Sequence, residues 1–113
     1  MKKRIPKKSE KISFVLTGLK LDLINLYQEN FNSLILFGSY ARGTANELSD
    51  VDILLILNKM NSPYAEITNT SEITIKYLFE NEINISLLPT TIERFTKNEI
   101  SLYATIHNEG ILI

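Results

Sequence analysis

The 113-residue sequence contains no cysteine and no tryptophan, and it has a single histidine, His107. Without cysteine, disulfide bonds and thiolate metal sites are excluded. No apolar run approaches the roughly 18 residues of a membrane span or follows the basic start as a signal peptide would, so the expected location is cytoplasmic. A lone histidine in a helical segment is more often an exposed or hydrogen-bonded helix residue than a metal ligand, and we expect this of His107.

Charge is unevenly distributed along the chain. Residues 1–11 contain six Lys or Arg against one Glu, whereas the remainder contains six basic and twelve acidic residues. The acidic remainder argues against a broad nucleic-acid surface. We therefore predict a basic, flexible N-terminal tail over residues 1–11, which is either solvated or touches RNA or an acidic partner, followed by one domain over residues 12–113.

Short apolar segments indicate strands, and longer periodic segments indicate helices. The predicted strands are residues 33–37, 51–57, 82–88 and 111–113, with Pro89 ending the third. The predicted helices are residues 10–29, a segment from Pro63 towards Phe79, and segments from Thr90 or Thr91 to Asn108 that Gly110 stops. The stretch TNTSEIT is expected to weaken the second helix or to break it, because Thr and Asn compete for backbone hydrogen bonds. The first helix carries an apolar stripe that includes Leu26.

Two short motifs stand between the first two predicted strands. Gly38 and Ser39 follow the first strand as a turn, and Asp50 and Asp52 stand at the start of the second. Glycine lets the backbone approach a ligand closely, and turn N–H groups together with the Ser39 hydroxyl can donate to phosphate oxygens. Neither GxxxxGK[ST] nor GxGxxG is present, so the pattern predicts a phosphate site without a P-loop.

The two aspartates are predicted to share one face of a strand, with Cα atoms roughly 6–7 Å apart. The apolar residues between and after them would fill the opposite face, leaving the acids open. Two carboxylates this close repel each other unless a hard divalent cation binds between them. A GS pair is common in turns and a DxD in solvated loops, but their order and strand context together predict a site for a divalent metal and a nucleoside triphosphate.

Gly38, Ser39, ten intervening residues and Asp50-Val51-Asp52 resemble the signature of the DNA polymerase β-like nucleotidyltransferase superfamily. The surrounding GSYARG and SDVDILL are similar to its minimal members, the minimal nucleotidyltransferases or MNT proteins. The resemblance is strongest over residues 33–57. It implies an α+β single domain in which helices back a small mixed β-sheet palm. It also implies transfer of a nucleoside monophosphate to a hydroxyl, with Mg²⁺ or Mn²⁺ as cofactor, ATP as substrate and pyrophosphate as product.

The resemblance assigns roles to individual residues. Gly38 and Ser39 would hold the β- and γ-phosphates, and Asp50 and Asp52 would be the catalytic, metal-binding acids. Arg42 matches the family's common ARG and would help bind nucleotide, although it could equally pair with Glu47 or face solvent.

The third predicted strand departs from the family pattern. Fully equipped members carry a third acid on this strand, and the matching position here is Asn84. An amide oxygen can ligate a metal but cannot act as a base near neutral pH. Glu82 lies one pleat away on the same predicted face and could substitute, or it could be a solvated edge charge. Activity could therefore be reduced or absent.

A chain of this length has no room for a full substrate-binding domain, so a second subunit or the acceptor itself would complete the site. Proteins that resemble this motif are often encoded beside HEPN-domain ribonuclease toxins and act as antitoxins by adenylylating a toxin tyrosine. Two functions follow: an adenylyltransferase of this kind, or a binding module that neutralises a partner by contact alone. A drug-modifying nucleotidyltransferase is a third alternative, and a homo-oligomer is compatible with each.

Overall fold

The computed structural model describes residues 10–113, so the predicted tail lies outside the described residues except for Glu10 and Lys11, which are already helical. Its described elements are α1 (Glu10–Tyr27), β1 (Phe31–Phe37), α2 (Gly38–Arg42), β2 (Val51–Leu57), α3 (Pro63–Asn81), β3 (Ile85–Thr91), α4 (Ile92–Thr96), α5 (Ser101–Glu109) and β4 (Ile111–Leu112). A 3-10 turn, Gln28–Asn30, joins α1 to β1. In this part of the chain, no helix is both long and apolar enough to cross a membrane.

The four described strands form one sheet in the order β3-β2-β1-β4. β1 runs antiparallel to β2 and to β4, whereas β2 and β3 are parallel. α3 makes the crossover that a parallel pair requires. The predicted α+β class, with a mixed sheet backed by helices, is confirmed.

Helices cover both faces of the sheet. One face packs against α1 and α3 through alternate residues of β2, which are Val51, Ile53, Leu55 and Leu57. On the other face, Leu54 and Ile56 pack with Phe95, Tyr103 and Ile106 of α4 and α5. We expected the face of β2 that carries the acids to be open. This is wrong for the part of the strand after Asp52, which α4 and α5 cover, and only the beginning of the strand is accessible.

The two long helices follow their sequence signals closely. The stripe on α1 is buried as predicted except at Leu26, which is 44% exposed. The Ser62 hydroxyl caps α3 by accepting from the Ala65 N–H at 3.1 Å. TNTSEIT does not break α3, because hydroxyls such as those of Thr70 and Thr74 donate to carbonyls three or four residues earlier and need no other partner.

The third strand begins and ends three residues later than predicted. α3 continues to Asn81, and Glu82 closes it in the left-handed region at φ +56°, with its N–H donating to Leu78 O. Pro89 lies inside β3 and does not end it. Because β3 is an edge strand, the missing proline N–H can face away from the sheet.

The C-terminal elements agree with prediction. Thr91 caps α4 by accepting from the Arg94 N–H, and Gly110 follows α5 before β4 pairs with β1. His107 stacks on Phe95, and its Nε2 lies 3.0 Å from the Phe95 carbonyl oxygen. His107 is therefore a hydrogen-bonded helix residue.

The first strand is longer than predicted, because β1 begins two residues earlier, at Phe31.

Candidate nucleotide and metal site

Gly38 lies directly against Asp52. The antiparallel pairing of β1 with β2 places Phe37 opposite Asp52, and the chain turns sharply at the next residue. Gly38 has φ +73°, and a Cβ atom there would collide with Asp52 Oδ2. Only glycine combines this backbone conformation with this close approach. The predicted Gly-Ser turn is the first turn of the short helix α2, in which Ser39 is the second residue.

The two acids occupy different environments. Asp52 lies within β2 and is half-buried, whereas Asp50 precedes the strand and is exposed, so the prediction of a strand through both acids is wrong at Asp50. Asp50 is nevertheless fixed by Asn84, the residue before β3: Asn84 Nδ2 donates to Asp50 Oδ1 at 3.0 Å, and Val51 N–H donates to Asn84 O at 2.9 Å. Asp50 and Asn84 therefore lie side by side at the open end of the parallel strand pair.

Charge is concentrated around Asp52. Burial raises the pKa of the Asp52 carboxyl, the neighbouring Asp50 carboxylate raises it further, and the Arg42 guanidinium acts in the opposite direction. The two effects that raise the pKa prevail. A cation beside the pair would relieve this repulsion, because it favours the ionised form of both acids.

Arg42 closes the other side of the site. It ends α2, and its Nη1 lies 3.4 Å from Glu109 Oε2 on α5, with both side chains partly exposed. The alternative pairing with Glu47 is not observed within residues 10–113. The Arg42 guanidinium, whose charge acts on Asp52, is thus paired with Glu109, and a partly exposed ion pair of this kind is weak.

The residues that lie beside the two acids on the neighbouring segment, Asn84 and Ser86, are neutral. Glu82 lies in the left-handed turn that ends α3, off the strand, so it does not share the predicted face with Asn84. The parallel register sets Ser86 beside Asp52, just as Asn84 stands beside Asp50. Sequence reasoning missed Ser86, because only the pairing register shows which residue faces Asp52. In residues 10–113, no three His, Cys, Asp or Glu side chains converge as a metal site.

The oxygen donors present fit a hard divalent cation of the Mg²⁺ type. Asp50 and Asp52 supply carboxylate oxygens, and Asn84 can offer an amide oxygen if its side chain turns over. Mg²⁺ commonly binds through one or two carboxylates and completes its shell with water and substrate phosphates. The donor set is therefore sufficient for a metal that arrives with a nucleotide.

Comparisons with known proteins identify the family of this chain. The family model described as Nucleotidyltransferase domain matches residues 23–113. A Methanocaldococcus jannaschii protein with the provisional name protein adenylyltransferase MJ0141 is 31% identical over 91 residues, which cover 79% of this chain and 91% of that protein. MJ1305 of the same organism, with the same provisional name, is 43% identical over 63 residues. That match covers 53% of this chain and 42% of MJ1305, so this chain spans less than half of that relative.

Solved structures share the fold at low sequence identity. A provisionally named nucleotidyltransferase from Sulfolobus solfataricus superposes with a TM-score of 0.59 at 17% identity, covering 90% of this chain and 80% of that one. A toxin-antitoxin solved with AMP-PNP gives a TM-score of 0.59 at 19% identity, covering 84% of this chain and 69% of that one. Since the family model matches most of the chain, this protein belongs to the nucleotidyltransferase domain family.

Proposed function

We propose that this protein is a Mg²⁺-dependent protein adenylyltransferase, which transfers AMP from ATP to a hydroxyl on a partner protein. The observation that carries the proposal is the close approach of the Gly38 backbone to Asp52, with Asp50 and Arg42 at the same edge of the sheet. The provisional names of the two relatives support a protein acceptor. The toxin-antitoxin among the structural neighbours supports an antitoxin role. The acceptor that we propose, a tyrosine of a HEPN-type toxin, is the one that the sequence resemblance implies.

Phosphate binding falls to residues around α2. The Ser39 hydroxyl and the first N–H groups of α2, which no side chain caps, would donate to the β- and γ-phosphates. Arg42 would exchange Glu109 for a phosphate oxygen and gain a stronger charge-assisted hydrogen bond. Gly38 keeps the space between these donors and Asp52 free of a side chain.

The transfer itself is a single displacement at phosphorus. The acceptor hydroxyl oxygen forms a bond to the α-phosphorus of ATP, the bond from that phosphorus to the α–β bridging oxygen breaks, and pyrophosphate leaves. The hydroxyl proton is released to solvent, because neither Asn84 nor Ser86 is a base at neutral pH. Bound Mg²⁺, held by Asp50 and Asp52, would supply neutralisation of the phosphate charge. Positioning by the protein accounts for the rest of the rate.

The neutral pair Asn84 and Ser86 favours a second candidate function. Without a third acid, the protein would bind Mg²⁺ and nucleotide but transfer AMP slowly or not at all. In that case it would act as a nucleotidyltransferase-fold module that neutralises its partner by contact, with nucleotide as a structural ligand.

The decisive experiment is transfer of label from each of the four α-³²P nucleoside triphosphates into protein and RNA of a host lysate, with Mg²⁺ or Mn²⁺. The control is a variant carrying Asp50→Asn and Asp52→Asn. The adenylyltransferase predicts label from ATP in one protein band, absent in the variant. No label from any nucleotide, together with a partner recovered by pull-down, would instead support the contact-only module.

A further inference from the structure

A groove of about 710 Å³ opens beside Asp50. It is formed by the start of α1, by α2, by the segment before β2, and by the end of α3 with the residues that follow it. Asp50 and Asn84 line the groove, whereas Gly38, Arg42 and Asp52 do not. Asp50 therefore belongs both to the proposed metal site and to the lining of this groove, which makes the groove a direct neighbour of that site.

The lining of the groove combines an apolar floor with an acidic rim. Ile12 and Ile83 form part of the floor and are almost fully buried, at 6% and 7% exposure. Leu48 at the rim is 93% exposed. A segment bound in the groove could therefore contact apolar side chains both on the floor and at the rim.

The charged residues of the rim are mostly acidic. Glu47, Asp50 and Glu82 line the groove together with one cation, Lys11. In the described part of the chain, neither Glu47 nor Glu82 forms an ion pair. Lys11 offsets part of their negative potential, and the acidic excess that remains among the described lining residues would repel the phosphates of an RNA acceptor while attracting basic side chains.

We propose that this groove, called here the acceptor groove, binds the acceptor as a protein segment in which the reacting hydroxyl residue is flanked by Lys or Arg. The flanking cations would lie against Glu47 and Glu82, and an apolar neighbour would contact Leu48 and the isoleucine floor. The hydroxyl would then point towards Asp50. The proposal rests on the proposed function and specifies its substrate class.

The test uses two synthetic peptides that share one tyrosine and differ only in having Lys or Glu on either side of it. Binding of the fluorescently labelled peptides is measured by anisotropy with Mg²⁺ and a non-hydrolysable ATP analogue, and AMP transfer is measured separately. The variant carries Glu47→Lys and Glu82→Lys. Its control carries Glu72→Lys and Glu80→Lys, which make the same charge change at exposed positions outside the acceptor groove.

We expect the unaltered protein to bind the Lys-flanked peptide about tenfold more tightly than the Glu-flanked one, as ion pairs at a rim allow. The groove variant should reverse this preference through KM, with kcat and the affinity for Mg²⁺-ATP unchanged, and the control variant should keep it. Equal binding of both peptides by the unaltered protein, or an unchanged preference in the groove variant, would overturn the proposal.

One further outcome would assign the acceptor groove to another occupant and so overturn the proposal. A changed Mg²⁺-ATP affinity in the groove variant would show that the groove holds the nucleotide base. Because anisotropy requires no catalysis, peptide preference without transfer would retain the acceptor groove and reject only the adenylyltransferase.

Discussion

Asp22 on α1 and Asp52 on β2 are both half-buried aspartates, but their carboxylates have different neighbours. Lys76 Nζ and the Tyr77 hydroxyl each lie 2.7 Å from Asp22 Oδ2 and donate to it. Burial raises the pKa of the Asp22 carboxyl, but these hydrogen bonds outweigh burial and hold it below its usual value. At Asp52, burial and the Asp50 carboxylate together raise the pKa, and Arg42 offsets them only in part.

This difference distinguishes Asp22, which we interpret as a structural charge, from Asp50 and Asp52, whose charges we propose are neutralised by a bound cation. Asp22 is satisfied within the fold, where it ties α1 to α3. Asp50 and Asp52 are held close together, and among the described residues the Arg42 guanidinium offsets their repulsion only in part. Like charges that are held this close together occur at functional sites. A bound cation with its phosphates then supplies the favourable electrostatic interactions that the protein alone does not provide.

The largest expected effect is that of Gly38→Ala, compared with Gly43→Ala. Both glycines have positive φ, +73° and +80°, so both substitutions should destabilise the fold by about 1 kcal/mol. Only the Cβ at position 38 meets Asp52, whereas the one at position 43 meets nothing within 4 Å. We expect Gly38→Ala alone to lower AMP transfer by about 100-fold or more. Equal loss in both variants would show that backbone strain, not the approach to Asp52, matters.

Replacing the neutral residues Asn84 and Ser86 with aspartate should increase the negative charge of the candidate metal site. Asn84→Asp and Ser86→Asp each add a carboxylate beside an existing one, at Asp50 and Asp52 respectively. We expect each to tighten Mg²⁺ binding in calorimetry by about tenfold. If Asn84 is the vacated third-acid position, Asn84→Asp should also raise transfer, and a rise only in Ser86→Asp would move that position to Ser86. Unchanged Mg²⁺ affinity in both would contradict a metal at this edge.

Removal of the Asp22 charge should lower the stability of the protein without changing ligand binding. Asp22→Asn weakens the hydrogen bonds from Lys76 and Tyr77, so urea denaturation should show a loss of about 1 kcal/mol. Binding of Mg²⁺-ATP should be unaffected, because Asp22 lies on the α1–α3 side of the molecule. A stable variant with weakened nucleotide binding would contradict the structural role given to Asp22.

The smallest expected effect is a dependence of stability on pH that is confined to acidic conditions. A carboxyl whose pKa is lowered by folding stabilises the native state above its unfolded-state pKa, near about 4, and loses that contribution as the pH falls through the folded value. The stability difference between the unaltered protein and Asp22→Asn should therefore be constant near neutrality and shrink below about pH 4. Denaturation at several pH values measures it, and a difference that persists at pH 2 would reject the assignment.

Sequence reasoning predicted the elements that depend on local signals. Apolar periodicity identified α1 and β2, and the Ser62 cap with Pro63 identified the start of α3. It failed at the third strand because helix propensity does not show where α3 stops. The left-handed closure at Glu82 depends on the Leu78 carbonyl within the formed helix, and that closure shifts β3 along the chain.

The candidate site was predictable in its parts but not in its arrangement. The residues of the two motifs, Gly38, Ser39, Asp50 and Asp52, follow from their spacing and strand context. The Asn84 contact with Asp50, the position of Ser86 and the Arg42 pair with Glu109 depend on strand register and on how α5 packs, which no local pattern encodes. The roles of these residues stay predictions until binding is measured.

The most direct test of the central claim is a thermal-shift titration of Mg²⁺-ATP with three proteins: the unaltered chain, the variant with Asp50→Asn and Asp52→Asn, and Asp22→Asn. If Asp50 and Asp52 bind Mg²⁺-ATP, this ligand will raise the melting temperature of the unaltered chain and of Asp22→Asn. It will leave the melting temperature of the double variant unchanged. Stabilisation of the double variant equal to that of the unaltered chain would contradict the claim.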